Sequence, residues 1–295
     1  MAPFISVVMP AYNSEAFISE SLESVFSQSY GDFEVIVSDD GSRDRTKDII
    51  NEIFKRHKDK RARLIENEHK GAANARNKAI LASEGAWISF LDSDDIWRTD
   101  KLKRVVERIR GNPAYDLWCH SETMRASGKD TALDHYRKFN PDINGFLSLY
   151  RENSLSTSAV TVRRDTLLRA GLFDTDGKLA VSEDYDLWLK IASIAKIGYI
   201  KDILGTYVIR EGNLSSDPMN TFRAHMWIAR KHRGELKRLT RFYLFEEMRF
   251  RAKVFSATGL LLLSKKKIPA ACLFLFTGIA LWPFRAGSLK RILPE

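Results

Sequence analysis

Residues 91–95 (LDSDD) place three carboxylates, Asp92, Asp94 and Asp95, directly after an apolar run, residues 86–90 (AWISF), that reads as a buried strand. Carboxylates crowded at a strand end repel one another unless water or a cation neutralises them. Hard oxygen donors of this kind suit Mn²⁺ or Mg²⁺ and not zinc. In open α/β sheets, ligands bind just outside the carboxyl ends of the strands. Taken alone, the five residues are equally a solvated acidic turn ahead of a helix capped by Thr99. Two other acidic groups stand in similar settings. Asp39 and Asp40 precede Gly41-Ser42 at the end of an apolar run, and Glu183 and Asp184 open an amphipathic stretch, where acids also favour the helix dipole.

The elements that must position these groups are readable in order. Residues 4–9 (FISVVM) form a continuous apolar run, the mark of a strand covered on both faces. Pro10-Ala11-Tyr12-Asn13 breaks it, and Ser14 is a good N-cap for a helix with Ile18, Leu22, Val25 and Phe26 on one side. Residues 33–38 (FEVIVS) are a second strand, followed by a helix burying Ile49, Ile50, Ile53 and Phe54. A short third strand covers 63–66, and a helix opens at Gly71. After the acidic cluster comes a helix with Leu102, Val105, Val106 and Ile109, stopped by Gly111-Asn112-Pro113. A strand follows over 116–121. This strand–helix alternation predicts an α/β, Rossmann-like, mostly parallel sheet with helices on both faces. Its strand-end loops at 10–13, 39–42 and 92–95 are then brought to one edge. Residues 127–153 read as a polar loop or lid with a short helix over 143–150, 156–162 and 205–210 as strands, and everything beyond Met219 as helical.

Composition bounds the rest. The chain has 295 residues, 44% hydrophobic and 29% charged, in keeping with a globular protein that buries a real core. Its 47 basic against 38 acidic residues leave a net charge of +9, which admits nucleotide phosphates, acidic lipid or nucleic acid as partners. Cys119 and Cys272 lie far apart, so no disulfide framework is implied and a reducing cytosolic setting is the simplest expectation. The apolar strand starts at Phe4 with no basic leader, so no signal peptide is expected.

Four segments carry a family resemblance: residues 7–28 (VVMPAYNSEAFISESLESVFSQ), 38–46 (SDDGSRDRT), 71–80 with 90–95 (GAANARNKAI and FLDSDD), and 182–190 (SEDYDLWLK). Together they resemble the inverting nucleotide-sugar glycosyltransferases of family 2, which have the A-type glycosyltransferase fold. The likeness covers residues 4–210. It implies a catalytic domain over 1–215, with a nucleotide half (1–120) and an acceptor half (121–215). By the same resemblance Pro10, Ala11, Tyr12 and Asn13 embrace the nucleoside, Glu15 assists, and Asp39 accepts the ring imide of uracil. Arg76 faces the nucleotide, Asp92-Ser93-Asp94 is the Asp-x-Asp motif with Asp94 as direct metal ligand and Asp92 beside it, and Asp184, preceded by Glu183, is the catalytic base. The reaction implied is transfer from a UDP-sugar to a saccharide or lipid-linked saccharide, with Mn²⁺ or Mg²⁺, in bacterial-type surface polysaccharide synthesis. The family often carries Tyr-Arg-x-His after the last strand of the site. Here the stretch is Tyr207-Val208-Ile209-Arg210-Glu211, so Arg210 can keep a phosphate role while the histidine is missing. A nucleotidyltransferase uses the same kind of sheet and acidic ligands and is the alternative enzyme class. A non-catalytic, membrane-associated nucleotide-sugar binding module is the other alternative.

Residues 216–295 read as a separate basic and apolar helical region. Basic residues are spread around its helices, so nucleic acid is not an expected partner. The run 268–284 is short for a membrane span and is interrupted by Pro269, Gly278 and Pro283. With Lys265-Lys266-Lys267 ahead of it, a helix lying in the lipid interface is expected, and with it a place at the cytoplasmic face of the inner membrane. The competing expectation is a hairpin packed on the catalytic body.

Overall fold

Seven consecutive buried residues (ISVVMPA) suit a strand covered on both faces, and Ile5–Ala11 is such a strand, β1. The computed structural model describes residues 2–58, 61–126, 129–133, 144–179, 181–209 and 217–282. The chain divides into two units, Met1–Thr175 with Glu183–Glu211, and Asp176–Ser182 with Gly212–Glu295.

In the first unit β1 is followed by α1 (Ile18–Phe26), β2 (Phe33–Asp39), α2 (Thr46–Arg56), β3 (Arg61–Glu66), α3 (Ala72–Ala82), β4 (Trp87–Phe90), β5 (Ile96–Trp97) and α4 (Lys101–Gly111). Then come β6 (Leu117–Ala126), β7 (Lys129–Leu133), α5 (Gly145–Arg151), a 3₁₀ turn at Thr157–Ala159, β8 (Val160–Arg163), α6 (Arg164–Ala170), α7 (Glu183–Ile194) and β9 (Ile197–Ile209). The strands form one sheet in the order β3-β2-β1-β4-β8-β6-β9-β5, with β7 on β6.

The Rossmann-like part is β3-β2-β1-β4, and all of its pairings are parallel. Beyond β4 the sheet is mixed. β8 runs antiparallel to both β4 and β6, β7 to β6 and β5 to β9, while β6 and β9 are parallel. The mostly parallel sheet read from the sequence therefore holds for β3-β2-β1-β4, while the rest of the sheet is mixed. The reason is that strand–helix alternation, which forces parallel crossovers, stops after α4, and an apolar strand reads the same in either direction.

Helices cover both faces. Ile5, Val7 and Met9 of β1 join a core with Leu22 and Val25 of α1, Ile50 and Ile53 of α2, and Leu102 and Val106 of α4. The alternate side chains face α3, whose buried Ala75, Ala79 and Ile80 take no part in that cluster. On the same side Trp188 of α7, fully buried, packs on Phe90 and Phe173.

Three local expectations differ from what is found. Ser14 does not cap α1 with its hydroxyl; the helix begins at Ile18, and Phe17 takes the cap position. Asp100, not Thr99, is the residue before α4. The short helix in 127–153 is present as α5, capped by Asn144, whose Oδ1 accepts from Phe146 N at 2.9 Å, but residues 129–133 are a strand; 127–128 and 134–143 lie outside the described residues.

The second unit contains a 3₁₀ turn at Gly177–Leu179, α8 (Pro218–Lys231), α9 (Arg233–Leu239), α10 (Tyr243–Ser264) and α11 (Ile268–Leu281). α10 and α11 form an antiparallel hairpin at close range. A Cβ on Gly259 would stand 2.7 Å from Leu275 Cγ, and one on Gly278 2.5 Å from Ser256 Oγ. Among the described residues, no helix is long and apolar enough to cross a membrane.

Candidate active site

Parallel register decides which loops meet. Ala11 pairs with Asp39 across β1 and β2, and Leu91 N donates to Val8 O, so the ends of β1, β2 and β4 share one edge. The loops leaving that edge are stitched together. Asn13 N donates to Ser42 Oγ at 2.9 Å, Asn13 Oδ1 accepts from Arg43 N at 2.9 Å, and Ser14 N donates to Thr46 Oγ1 at 2.7 Å. Glu15 belongs to this stitching: its carboxylate accepts from Arg45 N, and its own N–H donates to Asp44. Tyr12 stacks one face on His69, ring centres 4.2 Å apart, and remains 42% exposed, enough surface for a planar ligand to cover. Pro10 and Ala11 are buried at the end of β1.

Asp39 is fully buried and accepts from Ser42 N. Its neighbour Asp40 has a different task. It accepts from Lys70 N and Gly71 N, and its carboxylate lies 2.7 Å from His69 Nδ1, which anchors the start of α3. Gly41, at φ +81°, is needed because a Cβ there would press on His69 N and Asn67 O.

α3 carries Arg76 into the centre of the site. Its guanidinium grips two carboxylates, Nη2 to Asp92 Oδ1 at 2.7 Å and Nη1 to Glu183 Oε1 at 2.9 Å, and lies 5.4 Å from the centre of the Phe173 ring. Residues far apart in sequence, on β4's loop and on the first turn of α7, are thereby joined. Burial disfavours the guanidinium's charge, but Asp92 and Glu183 outweigh it, so the pKa of Arg76 stands above the ordinary arginine value.

Asp184 is held by two hydrogen bonds. Thr157 Oγ1 donates to its Oδ2 at 2.9 Å, and Tyr185 N to its Oδ1 at 2.6 Å. Burial pushes both acids of this pair above the usual carboxylate range, Glu183 to about 7, with Arg76 opposing. A carboxylate in that condition is a better proton acceptor than a solvated one.

The acidic cluster rests on serines. Ser93 Oγ lies 2.9 Å from Ser14 Oγ, and Ser93 O accepts from Ser21 Oγ at 2.7 Å, which ties the first loop to the third. Ser158 Oγ accepts from Asp92 N and donates to Asp95 Oδ2, and Asp95 Oδ1 accepts from Val208 N. Asp95 is therefore a buried brace, its pKa raised by burial and then by Asp92, Glu122 and Asp94. Burial and the carboxylates of Asp95, Asp94, Asp92 and Asp184 also raise the Tyr207 phenol to about 12. That negative field is what a divalent cation would relieve. Among the described residues no three His, Cys, Asp or Glu side chains form a metal cluster. Asp92 and Asp94 offer hard carboxylate oxygens of the kind that would hold Mn²⁺ or Mg²⁺.

Asp92, Asp94, Arg76, Glu183 and Asp184 are thus gathered, and Ser93 links them to the loop bearing Tyr12 and Asn13. Arg210 lies outside the described residues. Sequence reasoning missed Thr157, Ser158 and the part played by Tyr207. The first two sit in a run of small polar residues, 153–158 (NSLSTS), that carries no charge or spacing signal.

The geometry agrees with what comparison finds. The glycosyl transferase family 2 model matches residues 6–168. The UDP-Glc:alpha-D-GlcNAc-diphosphoundecaprenol beta-1,3-glucosyltransferase WfgD of Escherichia coli is 33% identical over 219 residues, 72% of this chain and 80% of that protein. Two solved structures share the fold at 20% identity. S. aureus TarS 1-349 in complex with UDP-GlcNAc has a TM-score of 0.63 and covers 99% of this chain and 92% of that one. The mannosyltransferase PcManGT from Pyrobaculum calidifontis in complex with GDP-Man and Mn²⁺ has a TM-score of 0.66 and covers 100% and 82%. With the family model spanning more than half of its length and its strand-end acids on an A-type glycosyltransferase fold, this chain belongs to glycosyl transferase family 2.

Proposed function

We propose that this chain transfers a sugar from a UDP-sugar to a hydroxyl of a saccharide or lipid-linked saccharide, inverting the anomeric carbon, with Asp184 as general base. The observation that carries this reading is the raised carboxylate of Asp184, held by Thr157 and Tyr185 N beside Glu183, which Arg76 ties to Asp92. Pro10, Ala11, Tyr12 and Asn13 enclose the nucleoside, and Asp39 accepts the uracil imide N–H. Asp92 and Asp94 hold Mn²⁺ or Mg²⁺, which, when bound, offsets negative charge on the departing diphosphate. The acceptor oxygen attacks the anomeric carbon, Asp184 takes its proton, and the bond from that carbon to the phosphate oxygen breaks to release UDP. Arg76, committed to Asp92 and Glu183, fixes these two carboxylates relative to each other. A donor screen against lipid-linked saccharides extracted from bacterial membranes tests the reaction. Free UDP is expected; pyrophosphate released from a nucleoside triphosphate would make the chain a nucleotidyltransferase instead.

Two variants separate the roles. Asp94→Ala is expected to abolish the gain in UDP affinity on adding Mn²⁺, measured by calorimetric titration; the same gain in the variant removes Asp94 from the metal site. Thr157→Val removes the hydroxyl that stabilises charged Asp184, so kcat is expected to fall about ten-fold at unchanged UDP affinity. The acid limb of the pH profile moves to higher pH, because the lost hydrogen bond had lowered the Asp184 pKa. Thr157→Ser restores both. A profile that stays in place in Thr157→Val rules out the positioning role.

We also place the chain at a membrane surface. α11 has no charged residue and leaves Ile268, Leu273 and Phe276 57%, 65% and 77% exposed, with three lysines at its start. Such a face suits the interface of an anionic leaflet, each lysine adding about 1 kcal/mol. Phe276→Glu is expected to release the chain from phosphatidylglycerol vesicles in co-sedimentation; undiminished sedimentation counts against this face.

A further inference from the structure

In the helical unit a cleft of about 510 Å³ is lined by Gly177, Lys178, Val181, Asn220, Arg223 and Trp227. We propose that this cleft receives the phosphate headgroup of a lipid-linked saccharide acceptor, an assignment that rests on the acceptor reading above.

The lining holds two cations and no carboxylate. Arg223 is exposed and has no ion-pair partner among the described residues. Lys178 is held in place rather than free. Its Nζ lies 4.5 Å from the centre of the Trp227 ring and 3.1 Å from Asp176 Oδ2. Beside these charges stand the Trp227 ring, Val181 and the aliphatic stems of the cations themselves. A wall that is cationic at points and apolar between them suits an amphipathic anion, a phosphate ester on an apolar chain. The donor diphosphate has no need of it, because the acids at the strand ends are read as holding that charge through a cation.

The same unit supplies a place for the apolar chain. Arg223 and Trp227 lie on α8, whose Phe222 packs on Phe255 of α10 and Phe274 of α11, both at 4.9 Å between ring centres. α11 is the uncharged helix with its apolar residues exposed. The headgroup cleft and the lipid-facing helix thus belong to one packed body. The other wall, Gly177, Lys178 and Val181, stands a few residues before Asp184 in sequence, the base assigned to the acceptor's proton.

The test uses the full chain and farnesyl diphosphate, a prenyl diphosphate soluble without detergent, titrated calorimetrically beside UDP. Saturable binding to the wild type is expected. Arg223→Ala and Lys178→Ala should each weaken it about ten-fold, the loss of one charge-assisted hydrogen bond, with UDP affinity unchanged. Equal farnesyl diphosphate affinity in wild type and both variants overturns the cleft assignment, as does a wild type that binds UDP and not the prenyl diphosphate. Binding of farnesyl diphosphate without UDP leaves the cleft standing and sinks the donor reading. A third arm measures phosphatidylglycerol vesicles. If Arg223→Ala loses vesicles while keeping farnesyl diphosphate, the cleft holds a phospholipid headgroup and the acceptor assignment fails.

Discussion

Asp184→Asn is expected to lower turnover by roughly 10²–10⁴-fold while UDP binds as in the wild type. The amide keeps the shape and can still accept from Thr157 Oγ1, which donates to Asp184 at 2.9 Å, but it cannot take a proton from an attacking hydroxyl. Its hydrogen bonds among the described residues run to Thr157 and Tyr185 N and not to the loop bearing Tyr12 and Asn13, so donor affinity is expected to be kept. The pH profile carries the same information. Burial raises the pKa values of Asp184 and Glu183, Glu183 to about 7, and a base must be deprotonated to work. Wild-type kcat/KM therefore falls on the acid side as the pair takes up protons, above the range of an ordinary carboxylate. Unchanged turnover in Asp184→Asn removes this residue from the chemistry.

Arg76→Gln is expected to cost about 3–5 kcal/mol of stability, because it strips the countercharge from buried carboxylates and not from a surface pair. The side chains of Arg76 and Glu183 are 8% and 10% exposed, and that of Asp92 is 30% exposed. Urea unfolding should show a lower midpoint at an unchanged slope. The deficit should also depend on pH. Glu183 has a folded pKa of about 7, against an ordinary 4.5. Such a group contributes stability that is fully present below about 4.5 and is lost as pH rises through about 7. Losing Arg76 raises this folded pKa further, so the gap between variant and wild type is expected to widen from pH 5 to pH 8 and to narrow in acid. A variant as stable as wild type at pH 8 would show that the two carboxylates reach water without the arginine.

The β3-β2-β1-β4 part of the sheet was legible because its signals are local. Apolar runs of strand length ending in Pro10, Asp39 and Asp92 give both the strands and the edge at which their loops meet, and the parallel register of β1 with β2 and β4 agrees with that shared edge. Beyond β6 the direction of β8 and the length of β9 depend on long-range pairing that no short window encodes. The same limit applies to the site. Asp92, Asp94 and Asp184 stand out by charge, whereas Thr157 and Ser158 look like any small polar pair until the fold sets one against Asp184 and the other against Asp95. Ser14 misled for a related reason. It has the chemistry of a helix cap, yet its hydroxyl is taken up by Tyr12 and Ser93. Adjacent acids also divide by partners and not by type: Asp39 faces its own turn, while Asp40 is spent on the start of α3.

The most direct measurement is a crystal structure of the chain grown with UDP and Mn²⁺, with the metal located by anomalous scattering. The expected map has one manganese peak shared by Asp92, Asp94 and the two phosphates, the uracil against Tyr12 with its imide at Asp39, and open space between the β-phosphate and Asp184. A nucleotide bound on another face of the chain, or a metal peak away from Asp92 and Asp94 with UDP in place, would contradict it.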